Sequence, residues 1–380
     1  MPALLDRGFR PFFLLAGLWA PTALLLWLAM RAGILELPTA MGPVVWHVHE
    51  MLFGFVAAAM AGFLLTAVPG WTSRPPLRGL PLAALVALWL AGRLAVALSA
   101  WIGAVAAAAI DIAFLASLAV FSAREIMIGR NWRNLVVIAL LTILIAANAL
   151  FHLGQTETAE RGAIATIVML IALIGGRVVP EFTRNWLMQH GVAKLPAERD
   201  RFDSVTMAAT VAATLAWTLV GDHPLVGALL GLAAIALAAR LARWCSLSTM
   251  SEPLLWVLHL GYLWLPLGLA LLAVSVYAPG VPQAVALHAL TAGAMATMIL
   301  AMMTRATLGH TGRPLTASRA TTAIYLLVTT AAAARLASGL VDEAGSLLLH
   351  GSAVAWVAAF ALFVLAYGPM MLRPRLDPAR

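Results

Sequence analysis

Residues 46–69 read WHVHEMLFGFVAAAMAGFLLTAVP, a stretch that is long and apolar enough to cross a lipid bilayer as one helix. It nevertheless begins with two histidines and a glutamate, His47, His49 and Glu50, close to the helix start that Pro43 predicts. Ionisable side chains are costly in a bilayer and usually serve a function. The stretch therefore predicts a membrane helix that carries part of a functional site near one of its ends.

The whole chain has the composition of a membrane protein. Of its 380 residues, 63% are hydrophobic and 11% are charged. Soluble domains are about 45–50% apolar and about 25% charged, so a soluble fold has no place for this much apolar surface. The net charge of +8 does not indicate nucleic-acid binding, because the cations lie in short loops between apolar segments. The single cysteine, Cys245, excludes an intramolecular disulfide.

Twelve apolar segments predict an all-α, polytopic integral membrane protein. Each is close to the length of about 20 residues that crosses the hydrocarbon core of a bilayer. Their predicted limits are 11–30, 44–69, 80–99, 101–121, 134–153, 161–180, 203–220, 224–243, 254–277, 282–303, 320–340 and 346–369. The connections are too short to form a soluble domain. No convincing internal repeat is evident, although twelve segments have room for one. We therefore predict a single transmembrane domain over residues 1–380.

The charges predict how these helices are oriented. If the segments cross the membrane in order, most of the 24 lysines and arginines fall on one side, and acidic residues such as Asp342 and Glu343 fall on the other. The basic exceptions are Arg31, Arg93, Arg161 and Arg335. Cytoplasmic loops are enriched in lysine and arginine. We therefore expect both termini to be cytoplasmic.

Five of the nine histidines are predicted to share one depth, the outer third of the membrane, although they come from four helices. They are His47, His49, His152, His288 and His350. Neutral imidazole is the commonest metal ligand and a standard axial ligand of haem iron, so this layer predicts a metal or haem site. The alternative is that the rings form hydrogen bonds between helices or lie among lipid headgroups. His259 is predicted near the cytoplasmic side, too far away to join the same centre.

The spacing of His47 and His49 restricts how the pair can act. Two positions on an α-helix are about 200° of rotation apart, so these rings face opposite sides and cannot hold one ion together. They either serve two centres, or one is a ligand and the other a hydrogen-bonding partner. Glu50 is predicted on the face of His47, where it is a candidate to orient that ring or to relay protons.

Other polar residues within the apolar segments are also candidates for the site. Arg93 and Arg335 are predicted near the outer ends of their helices, where they either pair with haem propionates or extend to the headgroups. Asp111 lies in the middle of the fourth segment and is a second candidate for a proton relay. Asn148 has the same two interpretations as Asp111, a proton path or an interhelical contact, and we favour the contact.

Six short stretches carry a resemblance that covers nearly the whole chain. They are GFRPFF (8–13), WHVHEM (46–51), GFLLTAVPGWTSRPPL (62–77), GGRVVPEFTRN (175–185), LHLGYLW (258–264) and HALTAGAMATMILAMMTRATLGHTGRPL (288–315). Together they resemble the NnrS family of bacterial membrane haem–copper proteins, which is associated with the response to nitric oxide. The resemblance implies a haem b and copper protein of the bacterial cytoplasmic (inner) membrane, with His47, His49, His259, His288 and His310 in its characteristic motifs. Gly70 departs from the asparagine expected in the family's turn.

The predicted twelve helices also loosely resemble the catalytic subunit of haem–copper oxidases and nitric oxide reductases. Those subunits have their metal centres in the outer part of the membrane and an HxH helix that serves two haems. In this chain the HxH pair lies on the second helix and the lone His288 on the tenth. The two helices would therefore have exchanged their roles relative to those subunits. This second resemblance is an analogy of architecture only.

Three functions are compatible with the residues and with the resemblance. The first is a protein with one or two haems b, and copper, that binds or reduces nitric oxide or another small diatomic ligand, or relieves nitrosative stress. Such a membrane oxidoreductase would lie in lipid and take electrons from a quinol. Its haem ligands would be His47, His49 and His288. The ligands of copper, or further axial ligands, would be His152 and His350. The second is a transporter of haem, copper or a metal complex. The third is a haem sensor or assembly factor without catalysis.

Overall fold

The computed structural model describes residues 2–341 and 344–376, and within these ranges the chain is helical and has no β-strand. This confirms the predicted all-α class. Asp342 and Glu343, which the charge pattern assigns to the outer side, lie outside the described residues, as does the last part of the C-terminus.

Twelve helices in the described ranges are long and apolar enough to cross a membrane, as predicted. We number them α1 Phe9–Arg31, α2 Pro43–Thr72, α3 Leu80–Ala97, α4 Ala104–Ile128, α5 Trp132–His152, α6 Thr156–Gln189, α7 Arg201–Val220, α8 Pro224–Ala242, α9 Pro253–Tyr277, α10 Gln283–His310, α11 Arg319–Ser338 and α12 Gly345–Leu372. The largest difference from prediction is α6, which continues well past position 180. Its last turns are polar, so hydropathy does not detect them although they remain helical. The chain is thus a multi-pass membrane protein.

Local chemistry explains where several of these helices begin. Proline occupies the first turn of α2, α8 and α9, where its missing N–H has no helical partner to lose. Asp200 caps α7 by accepting hydrogen bonds from the backbone N–H groups of Phe202 and Asp203. The Asp203 carboxylate in turn accepts the backbone N–H of Asp200, which completes a capping box.

The chain packs as two compact units. Unit 1 comprises Met1–Thr166, Met302–Pro314 and Phe360–Arg380, and unit 2 comprises Ile167–Ala301 and Leu315–Ala359. In unit 1, α1 packs against α2 and α3 packs against α4, while in unit 2 α8 packs against both α7 and α9. The prediction of a single transmembrane domain stays a prediction.

Three of the long helices contain a π segment within the part of the chain that the structure describes. These segments are Glu50–Val56 in α2, Ile171–Gly175 in α6 and Ala289–Met295 in α10. A π segment places an extra residue in a helical turn and is frequent at functional sites. Two of the three begin directly after a histidine, His49 or His288. Hydropathy did not predict these segments, because one inserted residue leaves an apolar stretch apolar.

Candidate functional site

His49 is the centre of a fully buried polar cluster in unit 1. Its Nε2 atom lies 3.1 Å from Oδ2 of Asp111 and 3.1 Å from Oδ1 of Asn148. Its Nδ1 atom lies 3.3 Å from Oε1 of Glu50. All four side chains are buried. An imidazole that faces two carboxylates through its two nitrogens has to offer a proton, or a bound cation, on each side.

Asp111 collects the remaining contacts of this cluster. Its Oδ2 atom accepts a hydrogen bond of 2.8 Å from Nδ2 of Asn148 and lies 3.0 Å from Nε2 of His152. Its Oδ1 atom accepts a hydrogen bond from Arg93. Arg93 also donates to Oε1 of Glu50 over 2.7 Å, so one guanidinium pairs with both buried carboxylates.

The helices bring these side chains together for identifiable reasons. Gly92 on α3 permits α4 to approach closely, since a Cβ atom at Gly92 would lie 3.3 Å from the Cα and Oδ1 atoms of Asp111. Asn148 and His152 are one turn apart on α5 and therefore share a face. The rings of Phe53 and Phe151 pack against His49, with centroids 5.1 and 5.4 Å away. These rings help to exclude water from the cluster.

His49, Asp111 and His152 have the geometry of a metal site. Each offers one ligand atom, and the three atoms lie within 4.8 Å of one another. The contacts from the carboxylate to the two imidazoles, 3.1 and 3.0 Å, are close to the separation of about 3.3 Å between tetrahedral ligands with bonds of about 2.0 Å. Two imidazoles and a carboxylate suit first-row transition metals such as iron, copper and zinc.

His47 has a different environment from His49. Its ring stacks on Trp27 of α1 with a centroid distance of 4.4 Å. The two imidazoles of the HxH pair thus have different neighbours, in keeping with their rotation on α2. Glu50 contacts His49, whereas the rotation of a regular α-helix predicts that Glu50 lies on the face of His47. The reason is that Glu50 begins the π segment, where the rotation of a regular α-helix no longer applies.

The other histidines predicted in the outer layer belong to unit 2. Nδ1 of His288 donates to the carbonyl of Ala284 over 2.7 Å, and Nδ1 of His350 donates to the carbonyl of Ser346 over 2.7 Å. A bond of this kind fixes the tautomer and leaves Nε2 as the nitrogen without a proton in a neutral imidazole. Arg335 donates to Oγ of Ser338 over 3.2 Å.

His259 contacts hydroxyl groups through both ring nitrogens, and His310 packs against an aromatic ring. Nε2 of His259 lies 2.9 Å from Oγ1 of Thr183, and Nδ1 lies 2.9 Å from Oγ of Ser246, so hydroxyl groups occupy both ring nitrogens. His310 packs against Phe9, with ring centroids 5.6 Å apart.

Sequence reasoning missed a second buried ion pair, which lies in unit 2. Nε of Arg240 donates to Oδ1 of Asp203 over 2.7 Å, and its Nη1 atom donates to the hydroxyl of Tyr262 and to the carbonyl of Ala172. The charge pattern had placed Arg240 on the cytoplasmic side, at the end of the predicted segment 224–243. The sequence around Arg240 gave no signal of this pair, because the acidic partner is 37 positions away on another helix.

A family model described as "NnrS protein" matches residues 3–375, which include every candidate site residue above. No curated protein matches this chain.

Proposed function

This chain belongs to the NnrS family, a family of membrane proteins of the nitric oxide response, and from that premise we propose that it binds haem b and copper and binds or reduces nitric oxide. We place it in the bacterial cytoplasmic membrane. The proposal rests chiefly on one observation, the buried donor set of His49, Asp111 and His152 in unit 1.

Copper fits this donor set. Imidazole nitrogens are good ligands of copper, and the carboxylate of Asp111 supplies an anionic third ligand. Copper held here supplies a centre that exchanges electrons and accepts a small ligand. Glu50 receives the Nδ1 proton of His49 and thereby keeps Nε2 as the ligand nitrogen. Arg93 balances the charge of both carboxylates, and Asn148 holds Oδ2 of Asp111 in place.

Haem does not fit at His49, because carboxylates face both of its nitrogens and aromatic rings pack around it. It fits His288, whose Nδ1 is fixed by a backbone carbonyl while Nε2 remains as the ligand nitrogen. His350 has the same arrangement and is the second candidate. A haem b held here supplies an iron that binds nitric oxide. His259 does not fit, since its two nitrogens already contact hydroxyl groups.

A transporter of haem, copper or a metal complex is the second candidate function. The observation that favours it is the interruption of α2 and α10 by π segments, since transporters often bind their substrate where helices are broken in corresponding halves. A haem sensor or assembly factor uses the same ligands without turnover. In both cases the bound group is the same, so the response to nitric oxide distinguishes these candidates from the first.

The deciding experiment measures metal content and optical spectrum of the purified protein before and after nitric oxide is added. We expect copper and haem b, with a haem spectrum that shifts on addition of the gas. His152→Ala should remove copper and keep haem, and His288→Ala should do the reverse. His223→Ala, at an exposed helix cap, is the control and should keep both. A wild-type haem spectrum that nitric oxide leaves unchanged contradicts the proposal.

A further inference from the structure

A cavity of about 210 Å³ lies in unit 1, between the N-terminal segment and the chain that follows α12. The residues that line it are Ala3, Asp6, Arg10, Pro374 and Arg375. About 10–15 Å³ is enough for one water molecule, so this cavity has room for a larger polar group. The charge pattern places the start of α1 and the end of α12 on the cytoplasmic side. We therefore call it the cytoplasmic cavity, and we expect it at the depth of the lipid headgroups.

Backbone hydrogen bonds hold both walls of the cytoplasmic cavity. On the N-terminal side, the carbonyl of Leu5 accepts the N–H of Gly79 over 2.9 Å, which ties this segment to the connection between α2 and α3. On the C-terminal side, the N–H of Leu376 donates to the carbonyl of Thr311 over 3.1 Å, directly after α10. The walls are therefore fixed by the fold of unit 1.

Arg10 lines the cytoplasmic cavity with a donor that the protein does not use. Its side chain is only 1% exposed. Its Nη1 atom donates to the carbonyls of Met371 and Arg373 over 2.8 and 2.6 Å, at the end of α12. Its Nε atom is buried and has no hydrogen-bond partner among the described residues. Nε and Nη2 form the edge of a guanidinium that binds phosphate or carboxylate through two parallel hydrogen bonds.

Arg375 brings a second such donor to the same cavity. Its side chain is partly buried, and its Nε atom is buried without a hydrogen-bond partner in the part of the chain that the structure describes. A buried donor without a partner is destabilising, so native structures usually satisfy it. Nε1 of Trp217 also has no partner, so one such atom alone proves nothing. What distinguishes Arg10 and Arg375 is that both are cations and both line one cavity.

The surroundings of the cytoplasmic cavity carry an excess of positive charge. Arg7 and Arg313 act on the guanidinium of Arg10 as like charges, and Asp6 is the acidic residue that acts on it. None of Arg7, Arg10, Arg313 and Arg375 forms an ion pair within residues 2–341 and 344–376, whereas the buried Arg93 and Arg240 both pair with carboxylates. Cations held close together without a partner repel one another, and an anion between them removes this repulsion.

We propose that the cytoplasmic cavity binds a phosphate group, which accepts hydrogen bonds from Arg10 and Arg375 while Arg7 and Arg313 contribute charge. Phosphate suits the site because its oxygens point in several directions and so accept from two walls at once. Two sources have this chemistry. The first is the headgroup of an anionic lipid, which the expected depth of the cavity favours, and the second is free phosphate from the cytoplasm. This inference is independent of the haem and copper sites proposed above.

The proposal is tested with full-length protein that is purified in a neutral detergent and freed of lipid. The probes are dihexanoyl phosphatidylglycerol, dihexanoylglycerol, which lacks the phosphate, and inorganic phosphate, all at one ionic strength. Thermal unfolding reports binding, because a ligand of the folded state raises the unfolding temperature. Native mass spectrometry counts the bound molecules. We expect one molecule of phosphatidylglycerol to bind and to raise the unfolding temperature, and dihexanoylglycerol to have no effect.

The other outcomes of the titration assign the source or overturn the proposal. Stabilisation by inorganic phosphate, with no further gain from phosphatidylglycerol, identifies free phosphate as the source. Stabilisation by phosphatidylglycerol alone identifies the lipid. Equal stabilisation by dihexanoylglycerol and phosphatidylglycerol overturns the proposal, because the phosphate is then not recognised. A wild type that neither phosphate-bearing probe stabilises overturns it as well.

Arg375→Gln tests the donors themselves. Arg10 also holds the end of α12, so Arg375 is the better position, since its loss breaks no ion pair to any described residue. Without a probe, we expect Arg375→Gln to unfold at the wild-type temperature or above it, because repulsion decreases. With the phosphate-bearing probe, its affinity should fall by about tenfold or more.

Arg133→Gln is the matched control for Arg375→Gln. Arg133 is exposed in the first turn of α5, on the same predicted side of the membrane, and does not line the cavity. Its substitution removes the same charge and should leave the affinity unchanged. Equal weakening by Arg133→Gln and Arg375→Gln indicates general attraction to a basic surface and overturns the site, as does an unchanged affinity of Arg375→Gln.

Discussion

At the scale of single residues, Arg93 controls the charge of the cluster around His49. Its guanidinium pairs with Glu50 and Asp111, and all three side chains are buried. Removing the cation leaves two carboxylates in a medium of low polarity, which is much more costly than losing an exposed ion pair. Arg93 is therefore a structural requirement of the cluster as well as a neighbour of the proposed metal ligands.

We predict that Arg93→Met destabilises the protein by about 3–5 kcal/mol. Added copper should recover part of this loss, because a cation at His49, Asp111 and His152 replaces some of the missing positive charge. Thermal unfolding with and without copper measures both effects. Arg124→Met is the control, since Arg124 is mostly exposed and its pair with Glu125 should contribute about 0–1 kcal/mol. Equal losses for the two variants contradict this role of Arg93.

At the scale of one helix, Gly54 permits the π segment of α2 to meet α1. A Cβ atom at this position would lie 2.5 Å from Nε1 of Trp19 and 2.8 Å from Oε2 of Glu50. We predict that Gly54→Ala costs about 1–3 kcal/mol, because it displaces the indole from the carboxylate, and that it weakens copper binding. Unfolding temperature and copper content measure these effects.

Gly70 on the same helix provides the matched control. A Cβ atom there would meet no atom within 4 Å among the described residues. Gly70→Ala should therefore be neutral, or stabilising by about 0.5–1 kcal/mol, because alanine is the better helix former. If Gly70→Ala is as damaging as Gly54→Ala, the loss reflects the flexibility of α2 and not the position of Trp19.

The start of α7 provides a prediction about pH. A hydrogen bond from Arg243 lowers the pKa of Asp200 from 3.8 to about 2. A carboxyl group whose pKa is lower in the folded protein stabilises it above the unfolded pKa, and this contribution is lost as the pH falls toward the folded pKa. Asp200→Asn keeps the helix cap and loses the charge. Asp200→Asn should unfold at a lower temperature than the wild type, by a constant difference from pH 8 to about pH 5. This difference should disappear between pH 3.8 and about 2.

The elements also show which features the sequence predicts and which it does not. Twelve helices followed from hydropathy, because crossing a bilayer imposes the length of each apolar segment. Asp111 was recognised as a buried polar residue, but not as the neighbour of His49, which lies 62 positions away on another helix. Arg93 was predicted to pair with haem propionates or to extend to the headgroups, whereas its partners are Glu50 and Asp111. Contacts between helices depend on packing, which the apolar pattern of one helix does not encode.

At the scale of the whole molecule, two helices share one sequence pattern. Pro43, His49 and Gly54 of α2 recur at the same spacing as Pro282, His288 and Gly293 of α10. Seven spans lie between α2 and α10, so the two helices cross the membrane in the same direction. Equivalent residues of the two copies, such as His49 and His288, are then expected on the same side of the membrane. This agrees with the charge pattern, which places both of them toward the outside.

The single cysteine allows the orientation of the whole chain to be measured without engineering. Cys245 lies between α8 and α9, a connection that the charge pattern places in the cytoplasm, and it is partly exposed. We predict that a membrane-impermeant maleimide labels Cys245 in inverted membrane vesicles and not in intact cells with a permeabilised outer membrane. Cys245→Ser is the control for specificity, and a permeant maleimide should label the wild type in both preparations. Labelling of intact cells by the impermeant reagent reverses the topology, and with it the predicted outward position of the histidines.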